Sequence, residues 1–205
     1  MRVRVQLFLA MGLLALVACL KSPPMDEDRF WRIIAGTGTP IDPAETTESL
    51  RTTLQALSSE DLVAFNRIYH EKLRGADSWD LWAAGFIIGR GCSDDGFLEF
   101  RNFVIGHGRS FFEQAVQDPD SMAERLGPIR TEGQMRLPYL PDSDLVAGEI
   151  YRMRNKHAIP FERSGAKKRA GIRFSETRAD LSQRCPKLWK RFGGDWIEAF
   201  ERMGR

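Results

Sequence analysis

Apolar residues recur at helical spacing over most of the chain. The first such stretch is Asp26 to Ala35, with acids in its first turn and Phe30, Trp31, Ile33 and Ile34 available for burial. Gly36 to Pro40 reads as a linker, and Pro43 to Leu57 as a polar helix with Asp42 as N-cap and Pro43 at its first position. Ser58 and Ser59 introduce a third helix whose apolar positions Leu62, Phe65, Tyr69 and Leu73 fall on one face. Trp79 to Ile88 is apolar nearly all round, the profile of a helix buried on every side. Gly89-Arg90-Gly91 ends it by supplying left-handed backbone. Ser93 is the N-cap of the next helix, which is expected to run to about Gln117 through Phe97, Phe100, Val104, Phe111 and Ala115. Asp118-Pro119-Asp120 breaks it, and Ser121 to Leu126 gives a last short helical turn.

Beyond Gly127 the pattern weakens. Arg130 to Asp144 reads as loop, and Leu145 to His157 as a helix with Leu145, Ile150 and Met153 inward. Ile159 to Phe174 is basic and interrupted by glycine. Pro186 to Phe192 and Asp195 to Met203 are closing helices that supply Trp189, Phe192, Trp196 and Phe200. Neither a repeat, a heptad pattern nor a strand pair is evident. The expectation is a mainly α, single-domain helical bundle: a helical core over 26–126 and a loop-rich basic extension over 127–205 packed on the same domain.

The first 25 residues follow a different logic. Arg2 and Arg4 precede an apolar run, Val5 to Ala18, which is too short for a comfortable membrane span and suits the apolar part of a secretory signal. The run ends in Leu16-Val17-Ala18-Cys19, which looks like a bacterial lipobox. Residues 1–18 are then a signal peptide, Cys19 is the lipidated first residue of the mature chain, and 19–25 is a tether. A cytoplasmic protein starting at Met25 and a plain transmembrane anchor are the alternatives. Removal of 18 of the 205 residues takes two arginines with it, leaving 28 basic against 28 acidic side chains.

That neutrality conceals a gradient. Asp26 to Leu126 holds 18 acids and 10 bases, whereas Tyr151 to Arg191 holds 13 bases and 3 acids. The basic segment either packs across the acidic body or faces anionic headgroups beneath a lipid anchor. Nucleic acid is not an expected partner, because Ile159-Pro160-Phe161 and Gly165 interrupt the basic residues. The expected partners are a membrane, through the anchor, and a protein.

Met25-Asp-Glu-Asp-Arg-Phe-Trp, Trp79-Asp-Leu-Trp-Ala-Ala and Gly91-Cys-Ser-Asp-Asp-Gly-Phe occur in that order. Phe100-Arg101, Gly106-His-Gly108 and the Cys-Pro-Lys-Leu-Trp-Lys-Arg-Phe ending at Phe192 follow. Together they resemble the bacterial domain-of-unknown-function 4240 family over about Met25 to Phe192. The resemblance implies a helical fold and no catalytic residues. Many relatives look cytoplasmic and begin near the equivalent of Met25. Some appear beside WGR-type modules, which implies interaction or regulation.

The candidate functional cluster is Trp79, Asp80, Trp82, Arg90, Cys92, Ser93, Asp94, Asp95, Glu99, Arg101 and His107. Asp80, Asp94, Asp95 and Glu99 are its densest carboxylates. Asp95 and Glu99 share a helix face, where like charges repel unless a metal, Arg90 or Arg101 compensates. Adjacent Asp94 and Asp95 point about 100° apart on a helix and form no tight pair. They serve either as acids of a metal-dependent hydrolase or as helix N-terminal charges, with Asp80 capping its own helix beside Asp77. Cys92 precedes a helix N-terminus, which lowers a thiol pKa, but no spacing ties it to His70, His107 or His157. It is a nucleophile, a small residue in a tight turn, or a disulfide partner of Cys185. His70-Glu71 begins like a zinc-protease motif, yet Arg74 stands where the second histidine belongs. His107, between glycines, suggests close approach of another backbone. No cofactor motif is present, and the leading expectation is a non-enzymatic binding or regulatory module.

Overall fold

The structure, a computed structural model, describes residues 23–37, 43–126, 143–160 and 168–203. Within them lie α1 (Glu27–Gly36), α2 (Pro43–Gln55), α3 (Ser59–Gly75), α4 (Trp79–Gly89), α5 (Asp94–Gly106) and α6 (Arg109–Gln117). A 3-10 turn (Pro119–Ser121) leads into α7 (Met122–Arg125), α8 (Ser143–Asn155), α9 (Arg178–Arg184), α10 (Pro186–Phe192) and α11 (Trp196–Met203). The fold is mainly α. Among the described residues there is no strand, only an isolated parallel bridge between Ser78 and Ala170.

Local chemistry sets most helix starts. Asp26 accepts from Arg29 N at 2.7 Å, Ser58 from Asp61 N at 3.0 Å, Ser78 from Leu81 N at 3.1 Å and Ser93 from Gly96 N at 3.1 Å. Each satisfies an amide that the helix leaves without a partner. Asp42 lies outside the described residues, as do Arg130 to Asp142, and nothing is described of the Phe200 side chain.

The core gathers around α3, which packs against α1, α5 and α8. Phe30, Phe65, Tyr69, Phe97, Phe100 and Phe103 are fully buried there. Each such side chain contributes about 1.5–3 kcal/mol relative to exposure. The all-round apolar α4 is covered by α5, the 3-10 turn, α9 and α10. Between α4 and α5 the approach is close: a Cβ on Gly85 would sit 2.8 Å from Phe100 Cδ1.

Three expectations are corrected and one unexpected helix is found. The helix expected from Ser93 to Gln117 is two helices: α5 ends at Gly106, and Gly108 turns the chain at φ +85°. A Cβ there would meet nothing within 4 Å, so the turn needs Gly108 for its dihedral and not for close approach of another backbone. On α8, Leu145 and Met153 face outward at 61% and 70% exposure, whereas Val146, Ala147, Ile150 and Tyr151 are buried. Those four occupy the stripe that lies on α2 and α3. Lastly, α9 had no sequence-based counterpart.

The basic segment meets the acidic body at several points. Arg154 donates to the Leu57 and Gln55 carbonyls, Arg169 pairs with Asp77, Arg184 with Asp80, and Lys187 with Glu124 at 2.7 Å.

Candidate functional site

The corner between α4 and α5 is built around a row of rings. Trp79 and Trp82 lie 5.2 Å apart with planes 3° from parallel; Trp82 and Phe97 lie 5.0 Å apart at 4°. Trp79 and Trp82 are three apart on α4, which puts them on one face, and Phe97 comes from the first turn of α5. Trp82 is tethered by its indole N–H, which donates to the Cys92 carbonyl at 2.9 Å. The tight turn between the helices makes that bond reachable. Its left-handed residue is Arg90 (φ 50°, ψ 44°), followed by Gly91 at φ 123°. Gly89, expected to share in that conformation, is the last helical residue.

A segment from far along the chain lies over this row. Ala170 accepts from Trp79 N at 2.9 Å and donates to the Asp77 carbonyl at 3.1 Å. The pairing aims Arg169 at the rings: its guanidinium carbon is 4.8 Å from the Trp79 ring, 4.2 Å from Trp82 and 5.3 Å from Phe97. Arg169 Nε donates to Asp77 Oδ1 at 2.6 Å. Arg173 stands 5.5 Å from the Trp79 ring, and Phe174, buried, packs edge-on to Trp79, Trp82 and Phe86. Gly171 (φ +83°) lets the segment bend between Arg169 and Arg173.

Arg101 completes the surroundings. Its guanidinium lies 4.9 Å from the Phe97 ring, donates to the Leu73 carbonyl at 3.1 Å and stands 4.0 Å from Asp77. Burial, and the neighbouring charge of Arg169, pull its pKa below the usual arginine value despite Asp77. Asp77 therefore faces two guanidiniums, with Arg169 the nearer.

The expected acids do not converge. Asp80 does not cap its helix, a role Ser78 fills; it pairs with Arg184, which also reaches Asp180 at 3.5 Å. Burial disfavours the charge of Arg184, but its bonds and attraction to Asp80 and Asp180 prevail and raise its pKa. The Asp94 side chain is 85% exposed and 3.9 Å from Arg169, and Asp95 and Glu99 are exposed. Among the described residues, no group of three His, Cys, Asp or Glu side chains is placed to hold a metal ion.

Cys92 is half-buried, and burial pushes its thiol up to about 12, with Glu99 and Asp94 adding to the rise and Trp82 opposing it. Desolvation thus outweighs the helix N-terminus, and a thiol this high is not an activated nucleophile. Cys92 and Cys185 are both free. Burial, aided by Asp120 and Asp80, pushes Cys185 up to about 12 as well.

His107 stands apart from the cluster. It is the C-cap at the far end of α5, about 20 Å of helix from Asp94. The ring packs 4.2 Å from Phe103 and 4.6 Å from Phe111, with Nδ1 2.9 Å from the Phe103 carbonyl. Burial lowers its pKa below the ordinary 6.5, against the bond to Phe103.

Asp77, Phe97, Arg169, Phe174 and Arg184 were not on the sequence's list of candidates. Phe97 was expected as core, and Arg169 lay in the basic segment expected to pack across the acidic body or face anionic headgroups, with no signal that singled it out.

The profile of the family described as "Protein of unknown function (DUF4240)" matches residues 25–153, well over half of the chain. The chain belongs to this family. The matched region contains the whole α4–α5 corner; it stops at residue 153, short of the expected Phe192, and Arg169, Phe174 and Arg184 lie beyond it. No curated protein and no solved structure matches the chain. None of the described helices is long and apolar enough to cross a membrane.

Proposed function

We propose that this DUF4240 protein is a non-catalytic binding or regulatory module, held at a membrane surface of the cell envelope by a lipid on Cys19. The observation that carries the module reading is the separate employment of the acids. Asp80 is in an ion pair with Arg184, Asp94 and Asp95 stand in the first turn of α5, and Glu99 points to solvent. Hydrolytic chemistry needs carboxylates converging on one reacting group. The corner has aromatic faces and one bonded carboxylate, which are recognition chemistry.

The anchor rests on Val5 to Ala18 and the Leu-Val-Ala-Cys sequence, with the family match beginning six residues after Cys19. Packing begins almost at once: Arg29 donates to the Pro23 carbonyl at 2.6 Å, and Met25 is buried. Four residues from Cys19 to Pro23 span at most about 14 Å, so a lipid on Cys19 would hold the helical body against the bilayer. Acyl chains contribute about 0.8 kcal/mol per buried methylene.

Two measurements test this. Cys19→Ala is expected to move the protein from the membrane to the soluble fraction, with the native N-terminus a diacylglyceryl cysteine by mass spectrometry; intact native protein starting at Met25 sinks the anchor. Zinc, manganese, magnesium and calcium are expected to leave the melting temperature unchanged. A rise that Asp95→Asn abolishes would restore the metal-dependent hydrolase.

A further inference from the structure

We infer that Asp77, Trp79, Trp82 and Phe97 form a recognition site for an arginine side chain on an extended peptide, filled from within the chain by Arg169. This deepens the binding-module reading and rests on it. The ligand class follows from what Arg169 shows the site can hold. A flat, weakly hydrated guanidinium spreads over three rings, at 4.2–5.3 Å, which a compact ammonium does less well. The Nε–Asp77 bond of 2.6 Å fixes its orientation. The backbone is read as well, since Trp79 N–H and the Asp77 carbonyl bond the residue after the arginine on both its polar groups. Such an edge-on pairing is how peptides add to a protein through main-chain bonds, with side-chain pockets setting specificity.

Several features make Arg169 an occupant and not part of the framework. All four site residues belong to the family-matched region, and Arg169 lies outside it. Arg169 and Asp77 keep 21% and 27% of their side chains accessible, so solvent already reaches the contact. The residues beside the arginine add little burial: Lys168, Ala170 and Gly171 are exposed, and Ile172 is 79% exposed. A competing peptide therefore displaces one guanidinium and one bridge. It must outcompete an intramolecular ligand whose effective concentration is in the millimolar range for short linkages. Free arginine would then bind the intact chain poorly, and a partner must combine the arginine with strand pairing.

The test uses the full chain and follows tryptophan fluorescence. Arg169→Ala is expected to bind N-acetyl-arginine amide saturably, at least tenfold more tightly than the unmodified chain does. N-acetyl-lysine amide is expected to bind at least tenfold more weakly, and adding Asp77→Asn to abolish arginine binding. The peptide Ac-Arg-Ala-Gly-Ile-amide, copied from Arg169 to Ile172, is expected to bind more tightly than the single amino acid once Ala170→Pro is added to Arg169→Ala, which removes the N–H that the chain's own Ala170 donates to Asp77. No saturable signal, equal affinity for lysine, or equal affinity of the unmodified chain overturns the inference. A peptide no tighter than arginine amide overturns its strand-pairing part. Should Arg169→Ala fold poorly, arginine amide is expected to restore its melting transition, and Arg169→Gln repeats the titration; failure of arginine to rescue either variant counts against the site. Membrane fractionation and metal-dependent melting are unaffected by these outcomes, so failure here is separable from failure of the module or its anchor.

Discussion

At the scale of single residues, Trp82 carries the most structural weight in the corner. It is 9% exposed, stacked between Trp79 and Phe97, and bonded to Cys92. Trp82→Ala is expected to cost about 3–5 kcal/mol in urea denaturation; a cost below about 1 kcal/mol would refute its burial. His107 gives a pH signature. Its pKa is lowered in the folded state, so below about pH 6.5 the unfolded chain binds the proton more readily. Stability therefore falls as pH drops through that value. Glu27 and Asp180, whose pKa values are also lowered, begin to contribute only below about 4.5. Between pH 7 and 5, the melting temperature is expected to decline, and His107→Asn to flatten the decline. An unaltered slope in the variant would assign the effect elsewhere. Such roles were half-legible in the sequence. The indoles stood out by type, but nothing in one dimension reveals that Cys92 contributes its carbonyl and not its sulfur.

Helices were the most legible level, because caps and apolar stripes are local. Ser58 and Ser93, expected as caps, accept the bonds that caps accept. Where the expectation failed, tertiary packing chose among faces that the sequence left nearly equal. In α8, Leu145 and Met153 are as apolar as Val146 and Ile150, but the surface of α2 and α3 takes the latter stripe. The short α10 had no visible cap, since Cys185 makes no side-chain cap bond. Its cap comes from 67 residues earlier: Asp120, buried, accepts from Lys187 N at 3.0 Å and Leu188 N at 2.8 Å. Asp120→Ala leaves both amides without that carboxylate and is expected to cost about 1–3 kcal/mol. Hydrogen exchange is expected to quicken at Lys187 and Leu188 more than in α3. Uniform quickening would show that Asp120 does not act through α10.

Across the whole molecule, the tail is fastened by two kinds of contact of unequal strength. The Arg184–Asp80 pair joins opposite charges, yet the Asp80 side chain is 48% exposed, and pairs of that kind contribute about 0–1 kcal/mol. Leu188, in the same tail, is fully buried, and its truncation is expected to cost about 2–5 kcal/mol. Urea midpoints of Arg184→Ala and Leu188→Ala are expected to differ accordingly; a larger loss for Arg184→Ala would reverse the ranking. The charge gradient hinted that the two halves meet, and the structure pairs them at Asp77, Asp80 and Glu124. The sites of contact were not readable, because pairing over such separations leaves no local periodicity. That is why the acids drew notice as a cluster, while the basic partners that divide them went unseen.

The distance along the chain between Asp77 and Arg169, 92 residues, also has a consequence in time. At synthesis rates of about 5–20 residues per second, roughly 5–20 s separate the making of Asp77 from that of its partner Arg169. During that interval the newborn polypeptide presents its indoles and Asp77 without their own arginine. A ribosome-stalled chain ending at residue 160 is expected to protect these tryptophans from quenchers less well than the finished protein does.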